Sequence, residues 1–456
     1  MEPTGTRSRR FSSRPLSAAF LGALLPAWLL VPGPSQQPPG PTAGQPTIYI
    51  EGGAQRFAVP ACIPRAGDEA SREACRTITQ VLRKDLEFEG IFRFVPESLM
   101  AAIPAFNPDA PNFTDWKGVG ANVLVLTRAQ VTGGKLAAEV QVYSVDAGQS
   151  MLAKRYDWAA DKSRSVAHKA SDDIMTLTQY KGVAQTRIAF VSDRDSSRKK
   201  VTKEIYLVDY DGFNPTRVTV NNDINILPTW NPDGRSLAYV SYRRGSPDIF
   251  VAHIFEGRNS NVTSGKGAQA FAPAWSPDGK RIAYCSNRSG NMDIWVANAD
   301  GTGARRITNT AASETAPFWS PTGQEIAFTS DRGGGPQVYL MDSEGLNVRR
   351  LTTVGNWNDA PAWNPSKQYS EIAYTSRLEG AGFEIAVVDL ATRQVRQITQ
   401  GRGSCEYPTW APNGRHLVFS CKRGGTWQLT VSDRVGGVVQ TLVTGSGNNV
   451  QPDWGP

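Results

Sequence analysis

The sequence predicts a mainly β protein: an α/β N-terminal domain followed by a six-bladed β-propeller closed by its own C-terminal strand. Three observations carry this reading. Pro-x-Trp, extended to Pro-x-Trp-x-Pro, occurs six times, and its tryptophans (Trp230, Trp275, Trp319, Trp363, Trp410, Trp454) stand 45, 44, 44, 47 and 44 residues apart. A period in the forties with four short β segments per unit marks propeller blades. A second-strand signature recurs with it as Ile188-Ala189-Phe190, Leu237-Ala238-Tyr239, Ile282-Ala283-Tyr284, Ile326-Ala327-Phe328, Ile372-Ala373-Tyr374 and Leu417-Val418-Phe419. The two series are offset by one: Ile188 has no Pro-x-Trp before it, and Trp454 has nothing after it. The strand Val450 to Trp454 is therefore expected to enter the blade begun at Arg187, leaving no open edge.

In the chain's order, Arg7 to Arg14 is basic, Leu16 to Val31 is an apolar run of 16 residues, and Gly33 to Pro46 is Pro- and Gly-rich and uncharged. These are the parts of a secretory signal, and the run is short for a membrane span. Ser8-Arg9-Arg10-Phe11 also hints at twin-arginine export. The expected division is a signal peptide over 1–32, a Pro/Gly-rich segment over 33–46, an α/β domain over 47–180 and the propeller over 187–456. The exported chain would carry no span and, with no cysteine close after the apolar run, no lipid anchor.

The α/β domain is predicted from periodicity. Phe57 to Pro60 reads as a strand. Cys75, Ile78, Val81, Leu82 and Leu86 recur at helical spacing, so Glu69 to Leu86 reads as an amphipathic helix. Asn122 to Arg128, Lys135 to Val145 and Met151 to Trp158 read as an antiparallel meander, and Ser163 to Gln179 as a closing helix.

The clearest propeller unit is Ala272 to Thr308. Pro273-Ala274-Trp275 ends a first strand, and Ser276-Pro277-Asp278-Gly279 turns the chain. Arg281 to Ser286 and Asp293 to Ala297 are the next two strands. Arg305 to Thr308 is the outer strand, whose charge suits an exposed edge.

Composition removes some function classes. Of the formal net charge of +7, the first fourteen residues hold +3, which leaves +4 for the rest, too little for a nucleic-acid footprint. Cys405 and Cys421 fall opposite each other in a predicted hairpin and can bridge in an oxidising compartment, and Cys62 with Cys75 is a second candidate pair across a loop. Cys285 reads as a small buried hydrophobe. No spacing makes a zinc site, and no cofactor motif is present.

The carboxylates of Asp209-Tyr210-Asp211-Gly212 lack the further ligands of a calcium loop and read as a turn, like Asn298 to Gly301 and Asp342 to Gly345. Ser192-Asp193-Arg194, Ser286-Asn287-Arg288 and Ser330-Asp331-Arg332 read as hydrogen-bonding loop starts that tie blades together. A propeller-bearing peptidase or a carbohydrate-processing enzyme is the alternative that the repeats allow. The chain has no Gly-x-Ser-x-Gly elbow, and its three histidines, His168, His253 and His416, fall in separate elements. A binding module fits better than an enzyme.

In a propeller, the loops entering the innermost strands gather at one end of the channel. The residues just before each Pro-x-Trp should form one face: Ile226 and Leu227; Gln269, Phe271 and Ala272; Glu314, Thr315 and Ala316; Asn358, Asp359 and Ala360; Glu406 and Tyr407. Apolar groups mixed with a few carboxylates suit an interface core and rim.

The basic and apolar leader, the α/β domain with Asn112-Phe113-Thr114-Asp115-Trp116 and Gly120-Ala121-Asn122-Val123-Leu124-Val125, and six repeats of the Pro-x-Trp-Ser-Pro-Asp-Gly, Ile-Ala-Tyr, Ser-Asp-Arg type together resemble the TolB family of Tol-Pal systems, over residues 47–456. Single repeats also resemble those attached to serine peptidases, so the order of parts is what is specific. The resemblance implies a periplasmic, non-catalytic scaffold that binds the lipoprotein Pal with its propeller and TolA with its mature N-terminus, beside other envelope proteins. Its implied role is to hold the outer membrane during cell division. It also implies Pal contacts at Gln269, Ala272, Thr315 and Ala316. Family members can carry His where Gln269 stands, a departure that bears on that contact and not on the face. Gly33 to Pro46 does not align residue by residue to the family's TolA-contacting segment.

Overall fold

The computed structural model describes residues 55–103, 107–263, 267–377, 382–401, 403–437, 439–442 and 445–456. The leader and the Pro/Gly-rich segment lie outside them. No helix among the described residues is long and apolar enough to cross a membrane.

The α/β domain runs β1 (Arg56–Ala58), β2 (Ile63–Pro64), α1 (Glu69–Phe88), β3 (Arg93–Phe94), α2 (Glu97–Ala101), α3 (Phe113–Gly118), β4 (Val123–Thr132), β5 (Lys135–Ser144), β6 (Gln149–Ala159) and α4 (Ser163–Met175). The sheet order is β3-β1-β4-β5-β6, with β2 also on β4. Asp68 starts α1 by accepting the Ser71 N–H at 2.8 Å, a side-chain cap on a free backbone donor. The helix buries Ile78, Val81, Leu82 and Leu86 against the sheet and α4. Helix α4 stops at Met175, short of the expected Gln179. The hydroxyls of Thr176 and Thr178 donate back to the carbonyls of Asp173 and Met175, at 2.6 and 2.8 Å, which competes with the helical ladder. The two-residue strands and the short α2 and α3 had no readable periodicity.

Six four-stranded antiparallel sheets follow. The first blade is closed by the C-terminus: Asn449–Trp454 pairs with Arg187–Ser192, and the Gly455 N–H donates to the Arg187 carbonyl at 2.8 Å. The other innermost strands are Asn225–Trp230, Ala270–Trp275, Glu314–Trp319, Trp357–Trp363 and Cys405–Trp410. Every innermost strand has an irregular register at its proline, as between Ile226 and Thr229 or Phe271 and Ala274. Proline has no N–H for the ladder, so a bulge falls there. Outer strands are short: Arg305–Arg306 stands where four residues were expected.

Alternating strand direction sorts the loops. Turns between the first and second strands, and between the third and fourth, share one face of the disc. Loops between the second and third strands, and those joining blades, share the other, where the channel opens among the residues before each proline.

Candidate partner-binding face

The backbone builds this face by a six-fold device. The residue before each Pro-x-Trp proline is not glycine and has positive φ: Leu227 at 52°, Ala272 at 48°, Ala316 at 46°, Ala360 at 50°, Tyr407 at 57° and Gln451 at 52°. A left-handed conformation costs an L-residue roughly 1–2 kcal/mol, and it recurs here in every blade. The ring surrounds a depression of about 300 Å³, lined by these residues with Phe271, Thr315 and Asp359. Several ring amides are held by side chains. Leu227 N–H donates to Gln451 Oε1 (3.1 Å), Tyr407 N–H to Thr375 Oγ1 (3.0 Å) and Gln451 N–H to Ser420 Oγ (2.9 Å).

Position relative to the proline decides which candidates are accessible. Three residues before it, the side chain turns into the blade, and Glu314 and Asn358 are both 0 % exposed. Glu314 accepts from Thr310 (2.6 Å), Ser330 (3.1 Å) and Arg332 (3.0 Å), while Asn358 accepts from Ser376 (2.6 Å). These two candidates are therefore internal struts, and sequence reading placed them wrongly on the surface. Ile226, Phe271, Thr315, Asp359 and Glu406 are half-buried, and Gln269 is exposed. Gln451 was missed, although Pro452-Asp453-Trp454 is itself a copy of the motif. The closing strand completes the ring.

The same internal position explains the disulfide. Asn225 and Ser241 face each other with a 2.7 Å hydrogen bond, as Asn358 does with Ser376. In the sixth blade the pair is Cys405 and Cys421, covalently joined with a Cα–Cα distance of 4.1 Å. Cys62 and Cys75 are instead free, buried thiols. The hydrogen bond that the Cys62 thiol donates to Cys75, together with burial, pushes the Cys62 thiol up. What holds the Cys62 backbone to α1 is the hydroxyl of Thr79, which accepts the Cys62 N–H at 2.8 Å.

The electrostatics of the mouth are those of half-buried acids. Burial raises the Glu406 carboxyl, partly offset by the Ser404 hydroxyl, and Asp359 adds to the rise. Burial also raises Asp453 inside the channel, where it accepts the Trp230 N–H (2.6 Å) and the Thr409 hydroxyl (3.0 Å). Asp359 accepts from Thr329 at 2.8 Å.

The opposite face carries the α/β domain. The last turn of α1 meets the propeller: Asp85 accepts the Tyr210 hydroxyl at 2.5 Å and pairs with His168 Nδ1 at 2.8 Å. Glu89 pairs with Arg415, whose Nη1 also reaches the Glu89 carbonyl at 2.7 Å. Phe88 stacks on His416 with centroids 4.4 Å apart, and His416 Nε2 lies 3.0 Å from the Phe88 carbonyl. Burial, more than the Arg415 charge, lowers His416 to about 3, and burial raises Glu89 to about 7 against the pull of Arg415. Two of the three histidines thus converge, though sequence spacing gave no sign of it. His253 is elsewhere, beside Ser236 at 3.2 Å. The Asp209 to Gly212 turn is more than a turn, since Tyr210 and Asp211 dock α1 and Arg164. Asp193, Asn287 and Asp331 do tie loops, accepting the N–H groups of Asn448 (2.7 Å), Gln269 (2.8 Å) and Ser313 (2.9 Å). Among the described residues, no group of three or more His, Cys, Asp or Glu could hold a metal.

Comparison with known proteins places both parts. A family model described as the TolB beta propeller domain matches residues 174–456, and one described as the TolB amino-terminal domain matches residues 46–151. The Tol-Pal system protein TolB of Methylobacillus flagellatus is 42 % identical over 419 residues, covering 91 % of this chain and 94 % of that protein. That of Desulfosudis oleivorans is 32 % identical over 212 residues, 45 % of this chain and 46 % of the relative, so the chain spans about half of that protein's length in the match. The crystal structure of TolB from Acinetobacter baumannii superposes with a TM-score of 0.76 at 26 % identity, covering 89 % of this chain and 97 % of that one.

Proposed function

Because the chain belongs to the TolB family, we propose that it is a non-catalytic periplasmic scaffold of a Tol-Pal system. In this reading its channel-mouth face binds the lipoprotein Pal, its N-terminal segment binds TolA, and the assembly helps hold the outer membrane during cell division. The observation that carries the reading is the ring of six non-glycine residues at positive φ before the prolines. Conformational strain retained in every blade around one depression suits a preorganised docking surface. Residues Ala272, Thr315 and Ala316, expected from the family to touch Pal, line that depression, and Gln269 is exposed in the loop that enters it. The Cys405–Cys421 bridge supports an oxidising compartment. The TolA-binding segment belongs to residues outside the described ones and rests on the family alone.

The test is calorimetry of the cognate Pal domain against Ala272→Arg and Thr315→Arg. Each arginine would fill the depression, and each is expected to weaken binding by roughly tenfold or more, as a central interface position does. Unchanged affinity in both folded variants would move the site elsewhere on the disc.

A further inference from the structure

One loop of the channel-mouth face breaks the repeat. The segment between the second and third strands has 11 residues in the first blade (193–203), against six in the second, third and fourth and two in the sixth. The insertion carries Arg198-Lys199-Lys200-Val201-Thr202. All three cations are exposed, and Val201 is 65 % exposed. Nearby acids are engaged elsewhere: Asp193 with Asn448, Asp195 with Tyr206 and Arg217, Glu204 with Arg217. Among the described residues no ion pair reaches the three cations.

The loop is nevertheless a built hairpin. Ser197 and Lys200 exchange backbone hydrogen bonds at 2.9 and 3.3 Å, and the Ser196 hydroxyl donates to the Thr202 carbonyl at 2.7 Å and accepts its N–H at 3.0 Å. Its base is tied to the strand that enters the channel mouth: Lys203 N–H donates to the Asp223 carbonyl at 3.0 Å, and Asn225 N–H to the Lys203 carbonyl at 2.8 Å. Ile226 and Leu227 follow at once. Arg244, in the equivalent loop of the next blade, is exposed on the same rim.

Resting on the function proposed above, we infer that this basic hairpin meets an acidic flank of the protein docked on the channel mouth and speeds its association. Rim charges of this kind raise the encounter rate more than they slow dissociation. An acidic protein surface fits better than an anionic membrane, because three cations and one valine without an aromatic give little hold on a bilayer.

The experiment compares the full chain with the triple variant Arg198→Gln, Lys199→Gln, Lys200→Gln, measuring association and dissociation of the cognate soluble Pal domain. Salt is set at about 0.01 M and about 0.1 M, where charges are screened over about 30 and about 10 Å. The expected result is an association rate about tenfold lower at low salt, a flatter salt dependence, and dissociation unchanged within about twofold. An association rate equal to the parent's at low salt overturns the inference while leaving the docking face standing. Vesicles of phosphatidylglycerol that sediment the parent and not the variant, with unchanged Pal kinetics, also overturn it, in favour of a membrane contact. A parent that does not bind the Pal domain at all removes the proposed function, and this inference with it.

Discussion

The two faces of the disc are made from the same six hairpins and carry opposite chemistry. On one, Tyr210, Arg415 and His416 leave their turns to meet the end of α1, and the charges there are buried and paired. On the other, half-buried apolar groups and acids surround an open depression over strained backbone. The repeat specifies the hairpins and the ring of the mouth, and departures from it specify the joint to the α/β domain. In the third and fourth blades the corresponding turns satisfy themselves: Asp300 accepts from Thr302, and Asp342 from Leu346 and Asn347. Among the described residues, the turns that carry Tyr210 and Arg415 make hydrogen bonds and ion pairs to the α/β domain.

The largest effect should come from breaking the paired face. Glu89 is 2 % and Arg415 7 % exposed, so Glu89→Ala strands a guanidinium with a single backbone acceptor. Removing one partner of a buried pair costs roughly 3–5 kcal/mol. Glu89→Gln should cost clearly less, since burial already raises this carboxyl to about 7 and the amide keeps an acceptor. Urea unfolding of the two variants checks this, and a Glu89→Ala loss under about 1 kcal/mol would mean that apolar packing around Phe88 holds the domains together instead.

A smaller effect on the same face depends on pH. His416 is lowered to about 3 by burial and the Arg415 charge, so it is neutral in the fold and titrates near its ordinary 6.5 when unfolded. Its contribution is complete above pH 6.5 and is lost as pH falls toward 3, at no more than about 1.4 kcal/mol per pH unit. Glu89, raised from 4.5 to about 7, runs the other way: its contribution is complete below pH 4.5 and lost as pH rises through 7. Between pH 4.5 and 6.5 the two offset each other. His416→Gln should therefore close on the parent's stability, or overtake it, as pH falls from 6.5, whereas its deficit should be constant above 7. A difference between the two proteins that does not change with pH would show that His416 acts only through its stacking on Phe88.

The fold was legible because its signals are local and repeated. Pro-x-Trp spacing, the Ile-Ala-Tyr strands and the displaced Ile188 and Trp454 motifs determine the ring, and the closing strand follows from them. The loops that line the mouth were legible from their position before each proline, but not which of their side chains face it. Gln269, Ala272 and Thr315 lie on the loops that enter the channel mouth, but the direction of Glu314 and Asn358 depends on the bulge at the proline, and no periodicity encodes that bulge. The joint between domains was illegible because its pairs are far apart in sequence: Glu89 and Arg415 are 326 residues apart, and Asp85 and Tyr210 are 125. Single charged residues in turns carry no signal for such pairing.

The smallest effect tests whether the open face holds strain that the packed strands do not. Ala316 has φ 46°, so glycine there relieves a left-handed conformation worth roughly 1–2 kcal/mol and gives back roughly 0.5–1 kcal/mol through the freer unfolded chain. Ala316→Gly should then be neutral or stabilising by up to about 1.5 kcal/mol. Ala327, 0 % exposed in the neighbouring second strand and absent from the positive-φ positions, offers no such relief, and the same change should destabilise through lost packing and entropy. The sign of the difference between these two alanines is the measurement, read from melting temperatures of the paired variants. Were both to lower the melting temperature equally, the mouth would be as relaxed as the strands. A stabilised Ala316→Gly that also bound the Pal domain more weakly would tie the strain to docking, because the glycine makes the ring easier to hold and less fixed in shape.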